Sequence, residues 1–232
     1  MVGPRLRAIG AALAAVLLAS LVAGCGILGG RGIRVAVTAE PLGLEVAYGN
    51  DASAAVGALV HAGLYRLDAS FMPLPLLAAA PPTVSSGGTL WGVRLKEGLT
   101  FHDGSSLTAA DVVFSLSRAV KLNKTPAFIL NQFGLTKETV DQKVRAAGPM
   151  EVTMTIDKAF APSMVLNCMT ATVTSIVDMK TAMANQKDGD FGYDWLKTHS
   201  AASGQYKLVN WKASDGYTPE KVDRSEEHTS EL

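Results

Sequence analysis

Cysteine is scarce. The 232 residues contain two, Cys25 and Cys168, far too few for a disulfide framework to hold the fold. Excess charge of either sign is also missing: 21 basic side chains balance 21 acidic ones. That balance removes the basic patch a nucleic-acid binder needs and the acidic block of a solvating tail. The four histidines, His61, His102, His199 and His228, are too widely spaced for a local metal-ligand pair. No Gly-x-Ser-x-Gly elbow and no Gly-x-x-x-x-Gly-Lys phosphate loop occurs, so no catalytic residues, no cofactor and no metal are expected, and the chain does not read as an enzyme. His102-Asp103 hints at acid–base work, but Asp103-Gly104 is turn chemistry, because Asp bonds its own backbone and Gly accepts positive φ. Asp188-Gly189-Asp190 lacks the later ligands of a calcium loop and reads as a solvated turn.

The composition is instead that of a globular protein with a real core, with 48% hydrophobic residues overall. Part of that content precedes the folded body. Arg5 and Arg7 lead into the apolar run Ile9–Ala23, shorter than the roughly 20 residues a membrane-spanning helix needs. A basic start and a short apolar run form a secretory signal peptide, residues 1–24. Val22-Ala23-Gly24-Cys25 resembles a bacterial lipobox, which implies lipid on the Cys25 sulfur and cleavage just before it. Residues 25–32 form a Gly-rich tether. Cys168, within Met164–Met169, reads as a buried small hydrophobe.

From Ile33 the pattern becomes that of a folded domain. Ile33–Val37 alternates as a strand, and Leu42–Asp51 is irregular. Asp51 or Ser53 is placed to cap a helix reaching about Leu67, with Val56, Leu59, Val60, Gly63 and Leu64 on one face. Leu90–Lys96 alternates as a strand, Glu97-Gly98 turns, and Thr100-Phe101 is expected to return as a hairpin. Thr108 with Asp111 forms a capping box opening a helix that carries Val112, Val113, Leu116, Ala119 and Val120. Met150, Val152, Met154 and Ile156 alternate with polar residues as a further strand. Helices are expected over Ser163–Met169 and Met179–Gln186, and a last strand over Gln205–Trp211. Strands and helices are mixed without a βαβ rhythm, so the class is α+β. Arg224–Leu232 follows none of these periods; its nine residues are those a short-read sequencing adapter would encode, and they are set aside from the fold.

The stretch from Leu95 to Ser115, LKEGLTFHDGSSLTAADVVFS, resembles the signature of family 5 extracytoplasmic solute-binding proteins, the dipeptide, oligopeptide and nickel group. Twenty-one nearly contiguous positions make the match specific. Ala62–Leu67 is similar to the family's Glu-Gly-Leu helix end, with Ala62 in place of Glu. Ser203–Trp211 is similar to its Thr-Gly-Pro-Tyr-Lys-Leu strand, with Gln205 in place of Pro.

That resemblance implies the N-terminal part of a periplasmic-binding-protein-type II clamshell. Residues 33–68 would begin lobe one, 69–198 would form an extra α+β domain, and 199–223 would return to lobe one, with the second lobe missing. It further implies a substrate-binding component of a peptide-type ABC importer, partnered by a peptide or other small solute and by permease subunits. The place implied is extracytoplasmic, anchored to the cell membrane through lipid on Cys25. A lipoprotein sensor or chaperone on the same fold is the alternative. The family's lobe-one ligand contacts come from the loop before the first helix, which falls on Tyr48, Gly49, Asn50 and Asp51. Tyr48 would stack on a ligand, and Asp51 would either pair with a peptide amine or cap the helix.

Overall fold

A computed structural model describes residues 39–212 and 216–221 of the chain. The expected first strand at Ile33–Val37, the lipobox at Cys25 and the tail from Arg224 lie outside those residues. Among the described residues no helix is long and apolar enough to cross a membrane.

Helix α1 covers Asp51–Val60. It stops seven residues short of the expected Leu67, for a tertiary reason. The Val60 carbonyl, which would continue the helix, accepts from Gly204 N–H at 2.9 Å. The chain then extends, bridging Ala62 to Ile176, and strand β1 (Tyr65–Leu67) pairs antiparallel with β2 (Pro73–Pro75). Leu64 is buried as expected, but by this extended route and not by a helix face.

The larger sheet is antiparallel and four-stranded, in the order β3 (Thr83–Ser85), β4 (Leu90–Arg94), β6 (Glu151–Thr155), β5 (Val144–Gly148). Alternation places Trp91 opposite Met154 and Val93 opposite Val152, all on the buried face, while Arg94 and Glu151 face outward. Helix α2 (Ala109–Leu122) packs against β5 and β6, burying Val112, Leu116, Ala119 and Val120. The expected hairpin with Thr100-Phe101 does not form. Strand β4 takes β3 and β6 as partners, and Thr100 forms an isolated bridge to Ser106. Phe101 is fully buried and closes a tight loop, its N–H donating to Ser105 O at 2.8 Å. Asp103 Oδ1 accepts from Ser105 N–H at 2.9 Å and Gly104 sits at φ +90°, so the turn reading holds.

Helices α3 (Pro162–Cys168) and α4 (Met179–Ala184) match the expected segments to within two residues. Cys168 is half-buried, not buried. It ends α3 at the core's edge, where its Sγ accepts from the Gln132 amide at 3.3 Å. Burial pushes its thiol up, which keeps it in the unreactive protonated form at neutral pH. Strands β7 (Tyr206–Lys212) and β8 (Gly216–Lys221) form a separate antiparallel pair.

Three apolar clusters result among the described residues. The main one runs from Ala62 to Ile176 and includes the inner faces of β4, β5, β6 and α2. A small one joins Leu44, Val56, Val60 and Ala202, with Leu59 and Leu208 packed against it. A third joins Ala182, Leu196 and Ala201.

Candidate functional site

The loop before α1 is built from its own polar groups. Asn50, extended at φ −101°, is the helix cap: its Oδ1 accepts from Ser53 N–H at 2.9 Å and from Ser53 Oγ at 3.0 Å. The expected caps Asp51 and Ser53 are therefore displaced by one and three residues. Asn50 wins because its short amide also donates from Nδ2 to Glu40 O at 2.9 Å, tying the entering chain to the helix start. Ser53 Oγ in turn accepts from Leu42 N–H at 2.9 Å.

Capping by Asn50 leaves Asp51 with another role. It is exposed in the first helical turn, where the macrodipole favours its negative charge, and among the described residues its carboxylate has no partner. Tyr48 is 44% exposed. Gly49 is exposed, yet a Cβ there would sit 2.6 Å from Ser53 Cβ, so only glycine lets the loop pass the helix start. The four residues named from the sequence thus form one corner, in which Tyr48, Gly49 and Asp51 are exposed and the capping Asn50 is half-buried.

Beneath that corner the loop is buried and charged, which the sequence did not signal. Glu45 is 4% and Arg118 2% exposed. Arg118 Nη1 donates to Glu45 Oε1 at 2.8 Å, Nη2 to Oε2 at 2.5 Å, and Nε to Phe191 O at 2.8 Å. Next to the pair, Tyr193 has the Lys124 and Lys197 ammonium groups 4.6 and 4.5 Å from its ring centroid. Burial pushes the Tyr193 phenol up; Lys197 opposes this, and Glu45 and Tyr48 add to it. Arg118 lies in α2 among apolar positions, and nothing in the local pattern points to a partner 73 residues away.

Histidine is used structurally. His61 Nε2 lies 3.1 Å from Leu44 O, and His102 Nε2 lies 2.9 Å from Gly204 O. Asp190 caps backbone: its Oδ1 accepts from Lys187 and Gly192 N–H, and its Oδ2 from Asp194 N–H. Among the described residues no group of three His, Cys, Asp or Glu side chains is placed to hold a metal ion.

The profile of the bacterial extracellular solute-binding proteins, family 5, middle region, matches residues 73–224. The chain belongs to that family. Curated relatives include the glutathione-binding protein GsiB of Salmonella paratyphi A, 29% identical over 204 residues, covering 88% of this chain and 37% of the relative. GsiB of Shigella dysenteriae serotype 1 is 30% identical over 201 residues, covering 86% and 36%. The chain thus spans little more than a third of the length of the curated relatives it matches. Among solved structures, the substrate-binding domain of an oligopeptide ABC transporter from Bacillus anthracis aligns at a TM-score of 0.69 and 21% identity, over 81% of this chain and 37% of that one. OppA of Burkholderia pseudomallei aligns at 0.66 and 20%, over 81% and 37%. The fold is accordingly α+β, part of a type II clamshell binding protein, and the family is an extracytoplasmic one.

Proposed function

We propose that the protein is the substrate-binding component of a peptide-type ABC importer, that it is not an enzyme, and that it captures a peptide or related small solute outside the cytoplasmic membrane for delivery to a permease. The observation that carries this reading is the Tyr48–Asp51 corner, with Tyr48, Gly49 and Asp51 exposed and Asn50 capping the helix, in a family of solute-binding proteins. Tyr48 supplies a stacking face, and Asp51 supplies a carboxylate for a ligand amine. Gly49 and Asn50 bring backbone close to the same point. Relatives named for glutathione, a tripeptide-sized solute bearing an amine, support that ligand chemistry.

In the proposed domain map, residues 33–68 and 199–223 belong to lobe one, and 69–198 form the extra domain. The cluster of Leu44, Val56, Val60 and Ala202 supports it, because it brings the two lobe-one stretches together. Lipid on Cys25 would hold the protein at the membrane. In such a clamshell, affinity comes from burying the ligand between two lobes. Calorimetry on the product of the full locus, titrated with glutathione and with a mixture of di- to pentapeptides, is expected to show micromolar binding to at least one. Residues 26–223 alone are expected to bind none tighter than about millimolar, roughly 4 kcal/mol. Failure of the full product to bind any of these probes would remove the peptide reading.

A further inference from the structure

A buried ion pair needs an explanation other than stability. Taking both charges out of water costs as much as their attraction returns, and apolar replacements of similar volume are often neutral or better. The Glu45–Arg118 pair is almost completely buried and bidentate, and all three nitrogens of the guanidinium are used. What it fixes is the turn that delivers Tyr48. Tyr48 N–H donates to Glu45 O at 3.4 Å, and Ala47 N–H donates to Glu45 Oε1 at 2.8 Å. Glu45 is thus the hub of the turn, through its backbone on one side and its carboxylate on the other. Arg118 holds that hub against α2 and, through Phe191 O, against the segment leading to Tyr193. Leu44 N–H adds a bond to Lys197 O at 3.0 Å.

We infer that Arg118 is a positioning residue for ligand binding: through Glu45 it sets the place of the Tyr48–Asp51 corner. This rests on the reading of that corner as the ligand contact. The planar fork matters, because a lysine ammonium cannot hold both carboxylate oxygens and the Phe191 carbonyl in one plane.

The test uses the double variant Glu45→Met/Arg118→Met, which removes both charges while keeping volume, and Arg118→Lys, which keeps charge and loses the fork. Amide exchange in this chain is read at Leu42, Leu44 and Tyr48, whose acceptors are not the altered side-chain atoms, and at the α2 amides as the reference. In the product of the full locus, affinity for glutathione and the peptide mixture is read alongside. The expected result is exchange at least tenfold faster in the loop, unchanged in α2, with dissociation constants at least tenfold weaker. Unchanged loop exchange would overturn the inference. So would exchange that rises equally in α2, since that is global loosening and not positioning. If the double variant does not fold, Arg118→Lys is judged by the same criteria. If the parent protein binds none of the probes, the ligand reading fails, and the exchange data still decide whether Arg118 positions the loop.

Discussion

At the residue scale, His61 gives the clearest titration. It is buried, and burial lowers its pKa to about 4; the bond to Leu44 O opposes that shift, while His102 and Arg118 add to it. The folded state therefore holds it neutral, whereas the unfolded chain takes up a proton near pH 6.5. A depressed pKa means that the unfolded state binds more protons across this window, so stability falls as pH drops from about 6.5 toward 4. Denaturant titrations are expected to show a loss of roughly 2 kcal/mol between pH 7 and pH 5 from this residue. His61→Gln, which keeps a hydrogen-bonding group without the charge, should flatten that slope; an unchanged slope would assign it elsewhere. Gly204 is constrained by space. A Cβ there would lie 2.4 Å from Val60 O, the atom that its own N–H bonds. Gly204→Ala is expected to destabilise by about 2 kcal/mol or more, measured by the same titration, because the atoms it would meet, on Val60 and Leu59, are all backbone. At the N-terminus, Cys25→Ala is expected to move the protein from the detergent phase to the aqueous phase, as seen by phase partitioning, if lipid is the anchor.

At the element scale, α2 shows what a local pattern can and cannot disclose. The Thr108–Asp111 spacing marked its start correctly, and the carboxylate does more there than close a box. Asp111 Oδ2 accepts from Thr108 N–H and Oγ1, both at 2.9 Å, and Oδ1 accepts from Met179 N–H at 3.2 Å, joining α2 to α4. Asp111→Ala should therefore cost about 3 kcal/mol by thermal denaturation, against about 1 kcal/mol for Thr108→Ala. Equal costs would mean that the contact to α4 contributes nothing. Period and cap were legible because both are decided within four residues. The buried strand at Glu151–Thr155 was legible for the same reason, its alternation being complete within the segment. The end of α1 and the partner of β4 were not, because each is decided by a distant group: Gly204 for the first, Val152 and Met154 for the second. Of the candidate site, the place of Tyr48–Asp51 at the start of α1 was readable from the sequence. Its cap at Asn50 and the Glu45–Arg118 support were not, since three side chains compete for one helix start and the ion pair spans 73 residues.

At the scale of the whole molecule, the apolar clusters are very unequal, and local stability should follow them. The main cluster gathers Trp91, Phe101, Leu116, Phe133 and Ile156 with the rest of the inner sheet, all buried within one continuous stretch from Ala62 to Ile176. The cluster that holds α1 and β7 has four buried members. Segments with few buried apolar contacts open at lower free energy than the core, and proteases cut what opens. Strands β7 and β8 pair only with each other among the described strands. The return segment is nevertheless fastened to the main body by backbone, His102 N–H to Ala202 O and Asp178 N–H to Ala201 O, each at 2.9 Å. Opening should therefore begin on the two outer sides of those bonds, in the loop and helix before Ala62 and in the strands after Gly204. Limited proteolysis of residues 26–223 is expected to leave a resistant core whose ends lie near Ala62 and between Thr198 and Gly204, as read by mass spectrometry. Strand β1 would stay in that core, because Tyr65 is 3% exposed and paired to Pro75 across the small sheet. Early cleavage between Leu90 and Ile156 would contradict the inequality of the clusters.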